Sequence, residues 1–293
     1  MFNRKNAIRV GSLIKFYKAY KVYCDYLREG EVFFFRGHSS CSYELLPSIY
    51  RKTSIGNDVF VSQENKMIDE AIRLFPNEFD NSMSTIEQLV KMQHYGLPTR
   101  LLDITSNPLV ALYIACEDAD EDLTCKKVEE KLKDGKVYLF FVKESEMCGI
   151  NSDKVSVIAN VAKENSNFKI DSNLSKDDFN DSYHIQHLLH EIQREKPYFK
   201  PLIEPNELEK IVAVQTKMNN PRIIRQFGAF FLFGIKGEKI CPADFKFPYK
   251  EIIIDGNKKR EILKELEAVG ISKATLFPEM DNVLKCIKKK YDK

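Results

Sequence analysis

Apolar residues recur along this chain at two spacings, one typical of amphipathic helices and one typical of buried strands. Helical spacing predicts helices at about 12–29, 60–79, 84–95, 182–196, 258–269 and 280–290. Runs of β-branched and aromatic residues predict strands at 31–37, 136–143, 209–216, 222–234 and 251–255. No βαβ unit repeats along the chain. We therefore expect an α+β fold with a small mixed or antiparallel sheet flanked by helices.

The stretch 92–115, MQHYGLPTRLLDITSNPLVALYIA, places a polar segment between two apolar helices. Gly96 suits the left-handed end of the first helix, and Asn107 with Pro108 suits the first turn of the second. We interpret the segment between them as a tight polar turn. Its polar residues are Thr99, Arg100, Asp103, Thr105, Ser106 and Asn107. Polar groups held between two buried helices predict a pocket wall.

Arg36 and Gly37 end the apolar run EVFFFRG at 31–37. A guanidinium at the end of a buried strand needs an anion or several acceptors, because an unpaired buried charge is costly. Gly37 allows a ligand or another backbone to approach closely. The alternative is a structural ion pair between Arg36 and a nearby carboxylate.

Charge, cysteine count and the length of the apolar stretches narrow the classes of protein to which this chain could belong. The 293 residues include 45 basic and 43 acidic side chains, so the net charge of +2 gives no general attraction to nucleic acid. Seven scattered cysteines without a CxxC pair indicate reduced thiols. No apolar stretch has the length of a signal peptide or a bilayer span. We expect a cytoplasmic protein with no membrane contact.

Three histidines, His184, His187 and His190, lie on the helix predicted at 182–196. Their spacing places them partly on one face, which suggests metal binding. However, no carboxylate or thiolate stands at a supporting spacing, so a solvated helix is the favoured interpretation and no metal is expected.

Four segments resemble, in order, the blocks of the FRG-domain family, which is named for its Phe-Arg-Gly signature. They are FFFRGH at 33–38, QHYGLPTRLLDITSNPLVALYIA at 93–115, PRIIRQFGAFFLF at 221–233 and GISKATLFPEMDNV at 270–283. Ile104 departs from the family, which often has an aromatic residue there.

The resemblance implies a single FRG-type domain over residues 1–293. Its parts would be a motif core at 30–116, strands at 136–143 and 209–255, a polar insert at about 145–182 and C-terminal helices at 258–293. The insert is rich in Asn, Ser, Asp and Lys, which predicts loops with a short helix at most.

The layout is more distantly similar to that of ADP-ribosyltransferases of the Arg–Ser–Glu kind. Phe35-Arg36-Gly37 resembles the aromatic-Arg-Gly that ends their first strand, and Thr105-Ser106 resembles part of their Ser-Thr-Ser strand. Where they carry Glu-x-Glu, this chain has Gln226-Phe227-Gly228. The resemblance implies a related fold with NAD as co-substrate.

The same resemblance implies a role for each candidate residue. Arg36 would hold the pyrophosphate or a ribose hydroxyl of NAD, with Gly37 close to the ligand. Tyr95 would stack on the nicotinamide ring. The other cofactor-binding candidates are Thr99, Arg100, Thr105, Ser106 and Asn107.

Departure of nicotinamide leaves positive charge on the ribose, which a negative group stabilises. His94, Asp103 and Gln226 are the candidates to assist transfer. Each candidate has a structural alternative. Arg100 and Asp103 could pair with each other, His94 could bond helix-end carbonyls, and Gln226 could satisfy a buried turn.

We therefore expect an NAD-dependent ADP-ribosyltransferase-like effector, a toxin or a component of anti-phage defence, that modifies a nucleic acid or a protein. An antitoxin or a chaperone would be its partner. The alternative is a non-catalytic module that binds a nucleotide or docks a partner, and the missing glutamate favours it. A nuclease is disfavoured, since no cluster of acidic metal ligands stands out.

Overall fold

The computed structural model describes residues 7–52, 60–80, 82–118, 133–215, 217 and 220–291. The α-helices are α1 (Leu13–Cys24), α2 (Glu64–Leu74), α3 (Thr85–His94), α4 (Pro108–Cys116), α5 (Asp153–Asn160), α6 (Lys176–Asp181), α7 (Tyr183–Glu195), α8 (Pro221–Gln226), α9 (Lys259–Ala268), α10 (Lys273–Leu276) and α11 (Met280–Tyr291). The strands are β1 (Ile8–Val10), β2 (Glu31–His38), β3 (Leu101–Thr105), β4 (Gly135–Lys143), β5 (Met147–Gly149), β6 (Ile211–Gln215), β7 (Gly228–Phe233), β8 (Ile235–Lys236), β9 (Glu238–Pro242) and β10 (Tyr249–Ile254).

Eight of these strands form one sheet in the order β1-β10-β4-β2-β3-β7-β6-β5. The end pairs β1–β10 and β5–β6 are parallel, and the pairs between them are antiparallel. The sheet is mixed and flanked by helices, as predicted, but it is larger than the small sheet expected. None of the helices in the described ranges is both long and apolar enough to cross a bilayer.

Two groups of helices cover one face of the sheet. α1, α4 and α9 pack on its β1–β2 half around Phe35 and Leu139. α3 and α5 pack on its β3–β6 half around Leu101 and Leu232. The two groups meet over β2 and β3, so the boundary between them lies in the middle of the sheet.

The opposite face buries an aromatic cluster. The rings of Phe140, Phe231 and Phe245 contact one another with centroids 5.1 to 5.5 Å apart. Tilted and edge-to-face pairs at such distances add to the stability gained from burial. This cluster fixes β4 and β7, the strands on either side of the central pair.

β2 and β3, the central pair, match at a single register position, with Phe35 opposite Thr105. By contrast, β2 pairs with β4 along its whole length, from Glu31 to His38. β3 therefore separates from β2 between Thr105 and Leu101, and a gap opens in the sheet beside the C-terminal end of β2.

The local signals at helix ends are confirmed. Ser12 accepts a hydrogen bond from the main chain at the start of α1. Ser84 and Glu87 form the capping box of α3, and Gly96 follows it with φ of +89°. Asn107 caps the fully apolar α4, whose first residue is Pro108. Each of these signals involves residues close together in the sequence.

The predicted polar turn between α3 and α4 is wrong, because Leu101–Thr105 form strand β3. The long strand predicted at 222–234 is also wrong, because it is divided into α8 and β7. Phe227 separates the two elements with a left-handed backbone, φ of +50°.

The predicted loops at 145–182 are a third error. This segment contains α5 and α6, whose first turns are capped by the hydroxyls of Ser152 and Ser175. α5 is largely buried, with Val155 and Ile158 against the helix-covered face of the sheet. Two serines in a polar segment thus marked helix starts.

Candidate active site in the gap between two strands

A polar cavity of about 170 Å³ opens where β2 and β3 separate. It is lined by the two strands, the C-terminal end of α3 and the segment after β2. The lining residues are Arg36, Ser48, Arg51, Gln93, Gly96, Leu97, Leu101, Leu102 and Asp103. Two lining side chains are cationic and one is a carboxylate, so the net charge of the lining favours an anion.

Arg36 is fixed at two of its three guanidinium nitrogens. Nε donates to Nε2 of His38 at 2.9 Å, and Nη1 donates to the main-chain oxygen of Asp103 at 2.6 Å. The side chain is only 14% exposed. Burial lowers the pKa of Arg36, and the charge of Asp103 opposes that effect. Because the fork is held in place before any ligand arrives, little conformational entropy is lost when it binds an anion.

His38 supports Arg36 from the same strand. Its pKa is lowered to about 3 by burial and by the positive charges of Arg36 and Lys136. The ring is therefore neutral at pH 7, and its Nε2 can accept the hydrogen bond from Arg36. The ring also packs edge-on against Tyr138, with centroids 5.2 Å apart.

Arg51 adds a second positive charge to the cavity wall. Its charge lowers the pKa of Arg36 by repulsion, which requires the two guanidinium groups to be close. The side chain of Arg51 makes no ion pair with the residues that the structure describes. The segment that carries it is attached to the end of the α3–β3 loop, where the amide of Ile49 donates to the main-chain oxygen of Thr99 at 3.3 Å.

Asp103 is oriented by its neighbours on α3 and β2. Its Oδ1 accepts from the side-chain amide of Gln93 at 2.8 Å, and its Oδ2 lies 3.6 Å from Nη1 of Arg36. The hydroxyl of Thr99 donates to the other side-chain atom of Gln93, Oε1. This network fixes a carboxylate that is still 58% exposed.

Thr105, Ser106 and Gln226 meet one step further along β3. The hydroxyl of Thr105 donates to the main-chain oxygen of Gln226 at 2.6 Å and accepts from the amide of Asn107 at 3.0 Å. The amide of Ser106 donates to the main-chain oxygen of Phe227 at 3.1 Å. β3 and the end of α8 are thereby joined.

His94 lies on the side of α3 that faces α8. Its Nδ1 is 3.2 Å from Nδ2, the side-chain nitrogen of Asn220. Burial lowers the pKa of His94, and so does the charge of Arg222, whereas Asp103 and Glu279 act to raise it. The charges of two carboxylates from different parts of the chain therefore act on His94.

Arg100 is fully buried away from the cavity. Its Nε donates to Oε1 of Glu64 at 3.0 Å, and its Nη1 donates to the main-chain oxygen of Phe233 at 3.2 Å. Lys239 approaches the same carboxylate at 3.3 Å, and burial lowers the pKa of this lysine to about 8. The contacts of Arg100 are structural, and they join α2 to β7.

Gly37 is enclosed by backbone. A Cβ at this position would lie 2.0 Å from the main-chain oxygen of Ala111 and 2.7 Å from the amide nitrogen of Ala115. The close approach at Gly37 is therefore made by α4. This explains why glycine is needed there without any ligand.

The structure thus brings some predicted site residues together and leaves others apart. Arg36 and Asp103 line one cavity. Thr105 and Gln226 lie beyond its edge, along β3. The side chain of Tyr95, at the C-terminal end of α3, is 80% exposed.

Sequence reasoning missed part of the cavity lining, namely Ser48, Arg51 and Gln93, together with His38 behind it. A signal existed only for His38, which is two residues after Arg36 on a strand and therefore on the same face. Ser48 and Arg51 come from a separate segment that the sequence alone does not place.

One histidine of α7, His187, makes a contact away from the cavity. Nδ1 of His187 lies 2.9 Å from Oε2 of Glu164, which is buried. In the ranges described above, no three or more His, Cys, Asp and Glu side chains are grouped so that they could hold a metal ion.

Comparison with known proteins gives one match. No curated protein and no solved structure matches the chain. The model of the FRG domain matches residues 31–123, the part that contains β2, α3, β3 and α4 and all nine residues named above as the cavity lining. This match supports the assignment of residues 31–123 to the FRG-domain family.

Proposed function

We propose that this protein binds NAD at Arg36 and transfers its ADP-ribose group to a macromolecule. The observation that carries the proposal is the partly buried guanidinium of Arg36, fixed by His38 and by the main chain of Asp103 at the border of a cationic cavity. Its Nη2 has no hydrogen-bond partner in the described part of the chain and is available to an oxygen of a phosphate or ribose.

The size of the cavity supports binding of one part of the dinucleotide. A volume of about 170 Å³ suits a phosphate or a ribose, whereas whole cofactors occupy pockets of roughly 300 Å³ or more. The rest of NAD would extend over the surface next to β3. The exposed side chains of Asp103, on β3, and Ser106, directly after it, lie along that surface, and the exposed ring of Tyr95 would have to meet the ligand from the end of α3.

Transfer would break the bond between ribose and nicotinamide and place positive charge on the ribose. Asp103 is oriented by Gln93, and the ring of His94 is held at Nδ1 by the side chain of Asn220, so both could act on charge or protons near the ligand. Thr105 and Ser106 would contact the ribose or the nicotinamide.

The resemblance to ADP-ribosyltransferases of the Arg–Ser–Glu kind supports the choice of NAD and a related fold. It also supports an effector role as a toxin or a component of anti-phage defence in the cytoplasm, with an antitoxin or a chaperone as partner. The acceptor would be a nucleic acid or a protein.

A binding measurement followed by a cleavage measurement tests the proposal. NAD should raise the melting temperature of the protein, and the protein should release nicotinamide. Arg36→Ala should abolish both effects in a folded protein. Arg73→Ala is the control, because Arg73 is an exposed arginine whose ion pair, among the described residues, is with Glu70 of its own helix. No binding of millimolar NAD by the unaltered protein would refute the proposal.

A second candidate is a non-catalytic module that binds a nucleotide. It is favoured by Gln226-Phe227-Gly228, which holds no carboxylate, and by the side-chain amide of Gln226, which donates to the main-chain oxygen of Leu276 at 3.1 Å. Under this hypothesis NAD or a related nucleotide binds and Arg36→Ala abolishes binding. However, no nicotinamide is released, with or without candidate acceptors.

A further inference from the structure

The transfer proposed above needs a negative group close to the ribose carbon C1′. As the bond from C1′ to nicotinamide breaks, positive charge develops on the ribose, and a fixed carboxylate stabilises it. The segment 226–228 contains no carboxylate. Asp103, two residues before Thr105 on β3, and Glu279, whose Oε1 is 3.9 Å from Nη1 of Arg222 on α8, are the candidates to compare.

Asp103 stands at the end of the surface where phosphate would bind. Its Oδ2 is 3.6 Å from Nη1 of Arg36, and its Oδ1 is engaged by Gln93. If Arg36 binds the pyrophosphate, Asp103 lies beside negatively charged oxygens. A carboxylate there is poorly placed to face C1′.

The segment that precedes α11 places Glu279 at the other end of this surface, near α8. The side chain of Gln226 donates to the main-chain oxygen of Leu276 at 3.1 Å. The guanidinium of Arg222 lies 4.7 Å from the ring centre of Phe277, and its Nη1 is 3.9 Å from Oε1 of Glu279. These contacts hold Glu279 next to α8, close to the segment that carries no carboxylate of its own.

β3 connects the two ends. Asp103 and Thr105 point to the same face of this strand and are roughly 7 Å apart along it. The hydroxyl of Thr105 binds the main-chain oxygen of Gln226 at 2.6 Å. A dinucleotide that starts at Arg36 and follows β3 therefore reaches the segment that Glu279 belongs to.

The carboxylate of Glu279 is positioned and still accessible. Its Oε2 accepts from the side chain of Asn282 at 3.1 Å. Its main-chain oxygen accepts from the amides of Asn282 and Val283, in the first turn of α11, at 3.0 and 3.1 Å. The side chain is nevertheless 44% exposed, and its ion pair with Arg222 is long at 3.9 Å.

We propose that Glu279 is the carboxylate that faces the ribose of NAD during transfer, an inference that rests on the proposed function. The bond between C1′ and the nicotinamide nitrogen breaks, and its electron pair leaves with nicotinamide. An oxygen or nitrogen atom of the target bonds to C1′ and loses its proton to Glu279, from which the proton passes to solvent. With water as the acceptor, the products are nicotinamide, ADP-ribose and one proton.

Glu279→Gln tests this role in the full chain. The substitution keeps the shape and the hydrogen bond to Asn282 but removes the negative charge. We expect the Kd for NAD to change by less than about 3-fold and nicotinamide release at saturating NAD to fall about 100-fold or more. Asp281→Asn is the control, because it removes an exposed carboxylate from the adjacent turn and should leave release within about 2-fold.

The outcomes separate this inference from the proposed function. The proposed function and the role of Glu279 are both supported if Arg36→Ala loses NAD binding and Glu279→Gln keeps binding but loses nicotinamide release. Release by Glu279→Gln within about 3-fold of the unaltered protein overturns the role of Glu279 and leaves NAD cleavage standing. Absence of release from the unaltered protein overturns the transfer reaction itself. If Glu279→Gln binds NAD poorly, release is compared at NAD concentrations that saturate each protein. Release about 100-fold lower in the variant then keeps the assignment, and release within about 3-fold refutes it.

Discussion

Nη1 of Arg36 and the main-chain oxygen of Asp103 form a 2.6 Å hydrogen bond between two strands that otherwise match at one position. Where β2 and β3 separate, the backbone groups facing the gap lose their partners in the ladder and need other partners. Arg36 supplies one such partner from its side chain. The same guanidinium thus joins the two strands across the gap and lines the cavity that lies there.

Arg36→Ala should therefore reduce stability as well as NAD binding. We expect the free energy of unfolding to fall by about 1–3 kcal/mol, because the carbonyl of Asp103 loses its donor. Asp103→Asn keeps that carbonyl and should cost less than about 1 kcal/mol. Urea denaturation of both variants measures the difference. Equal losses would show that the ion pair, and not the bond to the main chain, stabilises the gap.

Gly37 provides a second test of the same region. Gly37→Ala should lower the free energy of unfolding by about 3 kcal/mol or more, because the added Cβ meets the backbone of α4. Gly149→Ala is the matched control, since a Cβ on that strand glycine has nothing within 4 Å. It should change the free energy by less than about 0.5 kcal/mol. A tolerated Gly37→Ala that lost only ligand binding would instead show that the glycine serves the ligand.

The parts of the fold that the sequence predicted are those decided by neighbours in the chain. The capping box of α3 requires residues only three positions apart, Ser84 and Glu87. β3 was missed because it is only five residues long and has polar residues on both sides, so the segment as a whole has the composition of a turn. Its strand conformation is decided by pairing with β7, where Leu102 lies opposite Phe231, more than a hundred residues away.

Only part of the candidate site was predicted, because some of its residues have a local sequence signal and others are placed by tertiary packing. Arg36 stood out because a charged residue followed an uninterrupted aromatic run. The partner of Arg100 could not be found in this way, since Glu64 lies on α2 and reaches the arginine only through tertiary packing. An exposed arginine such as Arg51 carries no local signal, and its place at the cavity depends on how the segment after β2 folds back.

His38 should make stability depend on pH. The ordinary pKa of His near 6.5 applies in the unfolded chain, whereas the folded value is lowered to about 3. Between these values the unfolded chain binds a proton that the folded protein does not. Stability is therefore complete above pH 6.5 and decreases as the pH falls towards 3, by up to about 1.4 kcal/mol per pH unit.

His38→Gln isolates this effect, because glutamine offers an acceptor to Arg36 and does not titrate. Urea denaturation between pH 4 and 7 gives the free energy of unfolding of both proteins. Carboxylates contribute equally to both series. The difference between the unaltered protein and the variant should shrink steadily as the pH falls, and a difference independent of pH would contradict the lowered pKa of His38.

Phe227 is held in a left-handed conformation, which a residue with a Cβ adopts only at a cost of about 1 kcal/mol or more. Phe227→Gly should therefore be more stable than Phe227→Ala by about 1 kcal/mol, since both remove the ring and only glycine removes the strain. Ile224, on the adjoining helix α8, should show the opposite order, because glycine in a helix is about 1 kcal/mol worse than alanine. Thermal or urea unfolding of the four variants measures both differences. An alanine variant at 227 as stable as the glycine variant would mean that α8 and β7 are joined by a different backbone conformation. If glycine is the more stable at 227, the half-exposed ring of Phe227 is the feature to examine for ligand contact, because it remains at a strained position next to Ser106 without being needed to bury the core.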